Sequence, residues 1–148
     1  MSAPGESFGT RPVRVAYVSG VFDMFHIGHL NLIRRARERC GVLVVGVLTD
    51  AETARTKGRR PVVPERERLE IVASVRWVDE AVLDPSVDKR VAFQKRPFDV
   101  LFKGDDWKGT ERGRRFEQQL AEVGARVEYL PYTLHTSSTA LRRHLEGA

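Results

Sequence analysis

One stretch constrains this chain more than any other. The apolar run Val13 to Val18 gives way to Gly20-Val21-Phe22-Asp23-Met24-Phe25-His26-Ile27-Gly28-His29, and a helical pattern begins at Leu30. Strand, glycine-bearing turn and helix form the opening of a βαβ unit. In an open α/β sheet ligands bind at such a turn, because helix N–H groups and the positive dipole end meet the carboxyl ends of the strands. His26 and His29 stand three residues apart, so a helix that starts near Gly28 carries both imidazoles beside its N-terminus. Gly28 has no Cβ and lets backbone or ligand come close there.

Two imidazoles and helix N–H groups, with no built-in carboxylate nucleophile, suit a reaction that gathers negative charge on phosphorus. Zinc ligation is the first competing reading, but no third His, Cys or Glu lies nearby at metal-ligand spacing, and Cys40 is the only cysteine. The second is a purely structural pair. Neither explains two histidines at the mouth of a crossover as directly as a phosphate does.

The rest of the chain repeats the same grammar. Arg14 to Ser19 reads as the first, central strand; Leu30, Ile33, Ala36 and Cys40 recur at helical spacing and stop at Gly41. Val42 to Leu48 is a nearly unbroken β-branched and leucine run, as in a parallel strand covered on both faces. The polar segment after Asp50, with Lys57-Gly58-Arg59-Arg60-Pro61, predicts a mobile loop. Pro64 opens a helix over Glu65 to Val72. Ala81 to Leu83 forms a third strand, and Val87 to Lys95 a helix. Phe98 to Phe102 forms a fourth strand, Thr110 to Val123 a helix and Arg126 to Leu130 a fifth strand. A last helix begins after Thr136-Ser137-Ser138-Thr139, where hydroxyls cap its donors. The expected architecture is a Rossmann-like, doubly wound α/β domain with a five-stranded parallel sheet in the order 3-2-1-4-5.

Length and composition bound the remaining classes. At 148 residues the chain is expected to be one domain over residues 13–148, preceded by a flexible tail over residues 1–12. No apolar run approaches the roughly 20 residues needed to span a bilayer, and the first residues carry no apolar signal segment, so a cytoplasmic location without a membrane partner is expected. A net charge of +5 invites a nucleic-acid partner. The basic residues are scattered and lack the interleaved aromatics of a stacking platform, so a triphosphate is the better match and no nucleic acid is expected. There is no GxGxxG and no P-loop, which sets aside dinucleotide oxidoreductases and P-loop kinases.

Gly20 to His29 resembles the signature G-x-F-D-x-x-H-x-G-H of the cytidylyltransferases, a branch of the HIGH-motif nucleotidyltransferases. Further matches follow at Lys57, at Glu67-Arg68-Leu69-Glu70-Ile71 and at Arg76-Trp77-Val78-Asp79-Glu80. The last two are Gly104-Asp105-Asp106-Trp107 and Ser137-Ser138-Thr139. The resemblance thus covers about residues 13 to 145, and Gly104 to Trp107 resembles the glycerol-3-phosphate cytidylyltransferase type. It implies His26, His29, Lys57 and Arg68 as catalytic residues, Lys57 and Arg68 acting on the triphosphate. Nucleotide contacts are implied for Gly20, Val21, Phe22, Asp23, Gly28, Asp106, Ser137, Ser138, Thr139 and Arg142. Arg76, with Asp106, would meet the acceptor, and Trp77 would pack or lie in a subunit interface. CTP and a small phosphate or phosphonate would be the substrates, Mg²⁺ would travel on the nucleotide phosphates with no protein ligand, and the chain would form a homodimer. The closing motif departs from the cytidylyltransferase pattern: Tyr132 stands where an arginine is usual and His135 where a glycine is usual. Its Ser-Ser-Thr-Ala-Leu-Arg form resembles adenylyl-transferring relatives, so adenylyl transfer from ATP to a sugar phosphate or flavin nucleotide stays open beside CTP.

Overall fold

The computed structural model describes residues 13–132 and 138–147. Five parallel strands, β1 (Val15–Gly20), β2 (Val42–Leu48), β3 (Glu80–Asp84), β4 (Val100–Gly104) and β5 (Arg126–Leu130), form one sheet in the order β3-β2-β1-β4-β5. That is the order the crossovers predict. Among the described residues six α-helices connect or follow them, α1 (Ile27–Arg37), α2 (Asp50–Lys57), α3 (Glu65–Ala73), α4 (Lys89–Lys95), α5 (Glu111–Glu122) and α6 (Ser138–Glu146), with one 3-10 turn at Asp105–Trp107 after β4. β1 pairs with β2 from Val15 opposite Val42, and with β4 from Ala16 opposite Val100.

Alternation along the strands sorts the core into two layers. Ala16 and Val18 of β1 pack with Leu32, Ile33 and Ala36 of α1 and Val72 of α3. Tyr17 points the other way and packs with Ala92 of α4 and with Phe116 and Leu120 of α5. Helices therefore cover both faces. β1 and β4 are the neighbours at which the winding reverses, and a crevice opens beyond their carboxyl ends.

One segment departs from the sequence reading. Residues 50–57 form a helix, not a loop: the Thr49 hydroxyl accepts from the Glu52 N–H at 3.2 Å, and Gly58 closes the helix in the left-handed region at φ 79°. Capping at both ends compensates for a polar sequence with little apolar face. Lys57 is consequently the last residue of α2. Elsewhere the differences are shifts of one to three residues at element ends, as with Pro64, which caps α3 by accepting from Glu67 and Arg68 N–H.

Gly46 of β2 is dictated by its neighbour. A Cβ built there would lie 1.8 Å from the Tyr17 hydroxyl oxygen. That hydroxyl cannot swing aside, because it donates to Asp84 Oδ2 at 2.9 Å while its ring stacks on Phe98. Lys89 Nζ holds the same carboxylate oxygen at 2.6 Å, so three buried polar groups satisfy one another. Gly46→Ala is expected to cost about 1–3 kcal/mol by overpacking, seen as a lower urea midpoint at unchanged denaturant slope.

Candidate active site

The turn after β1 is held in a conformation that ordinary residues avoid. Phe22 and Met24 both sit in the left-handed region, at φ 56° and 49°. Such backbone costs of order 1–3 kcal/mol per residue and persists only where surrounding structure over-determines it. Asp23, between them and 3% exposed, supplies that restraint. Its carboxylate accepts from the N–H groups of Val62 at 2.8 Å and Val63 at 2.9 Å and from the Arg142 guanidinium at 2.7 Å. Its carbonyl accepts from the Ser138 hydroxyl. One aspartate thus ties the turn to the segment before α3 and to the start of α6.

The two histidines are locked against each other at the head of α1. The Gly28 N–H donates to His26 Nδ1 at 3.1 Å, and the His26 N–H donates to His29 Nδ1 at 3.2 Å, a reciprocal capping box. Their rings stack with centroids 3.8 Å apart. A Cβ on Gly28 would lie 2.9 Å from His26 Cε1 and 3.3 Å from the Tyr132 hydroxyl, so glycine makes room for the first imidazole. An Nδ1 that accepts a hydrogen bond leaves the proton of a neutral ring on Nε2. Both rings are therefore Nε2–H donors. Burial, then the neighbouring His26, pushes the His29 pKa down to about 3, against a smaller opposing pull from Asp23; burial lowers that of His26 as well.

A cavity of about 330 Å³ opens beside His29. Gly20, Val21, Phe22, Asp23 and His29 line it from the β1 side, Asp106 from the β4 side, and Ser138, Thr139 and Arg142 from α6. Lys57 closes it from α2, its ammonium pKa lowered by burial and by the nearby Arg112 and Arg142. The structure adds Arg59, Arg60 and Lys103, so basic groups outnumber the two carboxylates, Asp23 and Asp106, on its wall. Such a lining attracts a polyanion.

Two residues singled out in the sequence, Arg68 and Arg76, are placed elsewhere, and His26 and Gly28 are not among the lining residues. Arg68 is a correction. It is 1% exposed, does not line the cavity, and spends its guanidinium on the carbonyls of Val63, Val21 and Leu48 and on Asp50 Oδ1, all at 2.7–2.8 Å. Four of its five N–H donors are taken in this way, and the group is buried away from the cavity. Arg76 is also corrected: it lies exposed beyond α3, its guanidinium over the Trp77 ring at 4.8 Å, outside the cavity lining. Ser137 lies outside the described residues, as does His135. Lys103, which the sequence reading passed over, is signalled only by strand alternation: it follows Leu101 by two and shares its face of β4.

Fold and site together define a class, a Rossmann-like α/β domain with an anion-attracting cavity at the switch point of its sheet. Residues 17–144 match the model of the cytidylyltransferase-like family, and the chain belongs to that family of HIGH-motif nucleotidyltransferases. It is similar to ethanolamine-phosphate cytidylyltransferase of Arabidopsis thaliana, 44% identical over 101 residues, which are 65% of this chain and 24% of that protein. The chain therefore spans about a quarter of that relative's length. It is also 34% identical over 127 residues to FAD synthase of Pyrococcus abyssi, covering 84% of each. Among solved structures, the lipopolysaccharide core biosynthesis protein from Thermoplasma volcanium GSS1 superposes with a TM-score of 0.69 at 26% identity, covering 84% of this chain and 99% of that one.

Proposed function

We propose that this chain transfers a cytidylyl group from CTP to a small phosphate or phosphonate acceptor and releases pyrophosphate. The observation that carries the reading is the stacked histidine pair, two Nε2–H donors of which His29 lines a cavity rich in cations. An acceptor phosphate oxygen attacks the α-phosphorus in line; the new P–O bond forms as the bond to the pyrophosphate oxygen breaks. An ionised acceptor is already nucleophilic, so no covalent enzyme intermediate is required and the protein's part is positioning and charge stabilisation. His29 and His26 donate to the α-phosphoryl oxygens. Lys57, with Arg59 and Arg60, receives charge as it moves onto the leaving pyrophosphate, and the N–H groups of Ser138 and Thr139 at the start of α6, with the Thr139 hydroxyl, hold the terminal phosphates. Mg²⁺ is part of the proposal as a companion of the triphosphate. Asp23 has both carboxylate oxygens engaged, and no group of three His, Cys, Asp or Glu side chains that could hold a metal ion occurs among the described residues, so no protein metal ligand is assigned.

A second reading, adenylyl transfer from ATP, is favoured by the FAD synthase relative and by Tyr132 in the position where cytidylyltransferases usually carry arginine. Pyrophosphate release coupled to a pyrophosphatase separates the two. Each of the four nucleotides is offered with ethanolamine phosphate, glycerol 3-phosphate and FMN. Turnover is expected with CTP and one of the two alkyl phosphates. Turnover with ATP and FMN alone installs the second reading, and none with any pair removes both.

A further inference from the structure

Two lysines are buried on the α4 and α5 side of the sheet, and they are treated differently. Lys89 has a carboxylate, Asp84, at 2.6 Å and the Ser86 carbonyl at 3.0 Å. Lys103 is 9% exposed, lies on the wall of the cavity and makes one long hydrogen bond, 3.4 Å, to the Ser19 carbonyl. No ion pair includes it among the described residues. Two aromatic rings lie close to it, with Nζ 4.1 Å from the Trp107 ring centroid and 5.7 Å from that of Phe116. A ring face attracts a cation but leaves its N–H donors without acceptors.

A buried ammonium with spare donors, facing an open polar cavity, is a site waiting for an anionic oxygen. We propose that Lys103 is a phosphate-binding residue of the nucleotidyl-transfer site, its Nζ turning from the Ser19 carbonyl to a phosphoryl oxygen of a bound substrate. It would complete from β4 the ring of donors that His29 supplies from α1 and Lys57 from α2. This rests on the cavity being where the phosphates meet. Its electrostatics agree. Burial lowers the Lys103 pKa to about 7; Lys89 of α4, Arg112 of α5 and Lys57 of α2 add to the fall, and Asp106 beyond β4 alone opposes it. A phosphate oxygen arriving beside such a group raises its proton affinity, so binding takes up a proton.

The test compares wild type with Lys103→Met, which keeps length and removes charge. At pH 8, calorimetric titration with Mg–CTP, Mg–ATP and ethanolamine phosphate in two buffers of different ionisation enthalpy reads the protons taken up. Wild type is expected to gain approaching one proton, because an amine of pKa about 7 starts mostly neutral. Lys103→Met should lose that uptake and bind the same substrate roughly 10- to 100-fold more weakly, as for one charge-assisted hydrogen bond. The titrant that shows the loss identifies the phosphate, nucleotide or acceptor. Tm should stay level or rise, since the charge removed has no ion-pair partner among the described residues and only the long hydrogen bond to the Ser19 carbonyl is lost with it. Unchanged uptake and affinity for all three titrants overturn the assignment, as does a fall in Tm with uniformly reduced activity. Substrate binding with Lys103-dependent uptake but no pyrophosphate release would sink the transfer reading and leave Lys103 in place.

Discussion

His29→Ala is expected to lower kcat by roughly 10² to 10³, the loss that follows removal of one preorganised donor to a developing oxyanion. The fold should survive, because the ring accepts a single hydrogen bond, from the His26 N–H, and its other contacts are with the neighbouring His26, Phe22 and Phe25 rings. Pyrophosphate release and circular dichroism measured on one preparation decide it. Undiminished turnover contradicts the donor role. The pH dependence sharpens the test, since a ring whose pKa lies at about 3 stays neutral through the physiological range. His29 should then add no limb near pH 6.5 to the kcat profile. The same shift makes acid destabilising. The unfolded chain protonates this ring below about 6.5, while the folded chain resists until about 3. The contribution is whole above that window and is lost as pH falls through it.

Arg68→Met is expected to be the most destabilising of the substitutions considered, by about 3–5 kcal/mol, as when one partner of a buried ion pair is removed. Asp50, 18% exposed at its side chain, would lose its guanidinium partner, and the carbonyls of Val63, Val21 and Leu48 would lose donors that little water can replace. For a chain of this size that corresponds to a Tm lowered by roughly 6–20 °C. Urea and thermal unfolding measure it directly. A protein of wild-type stability that no longer binds nucleotide would return Arg68 to the phosphates.

These two residues show where sequence reasoning reaches and where it stops. Strand order was readable because each parallel strand is a short apolar run and each crossover has a helical period. The histidine pair was readable because its geometry is local, fixed within four residues by the start of α1. The role of Arg68 depends on carbonyls at the ends of two strands, 47 and 20 positions away, and nothing in its own neighbourhood distinguishes a guanidinium consumed by backbone from one free for substrate. Lys103 was hidden for a related reason: its burial depends on Trp107 and Phe116 closing over it from another layer. Helix α2 was missed because its evidence lies in its caps, Thr49 and Gly58, rather than in an apolar stripe.

The single aspartate that braces the turn after β1 also sets a timetable. Its partners are 39, 40 and 119 positions along the chain, whereas the first crossover needs only near neighbours. Contacts of long sequence separation close late, after local ones have formed. Docking of Arg142 is therefore expected among the last steps of folding, so that a growing chain would hold its sheet centre before the turn after β1 is braced.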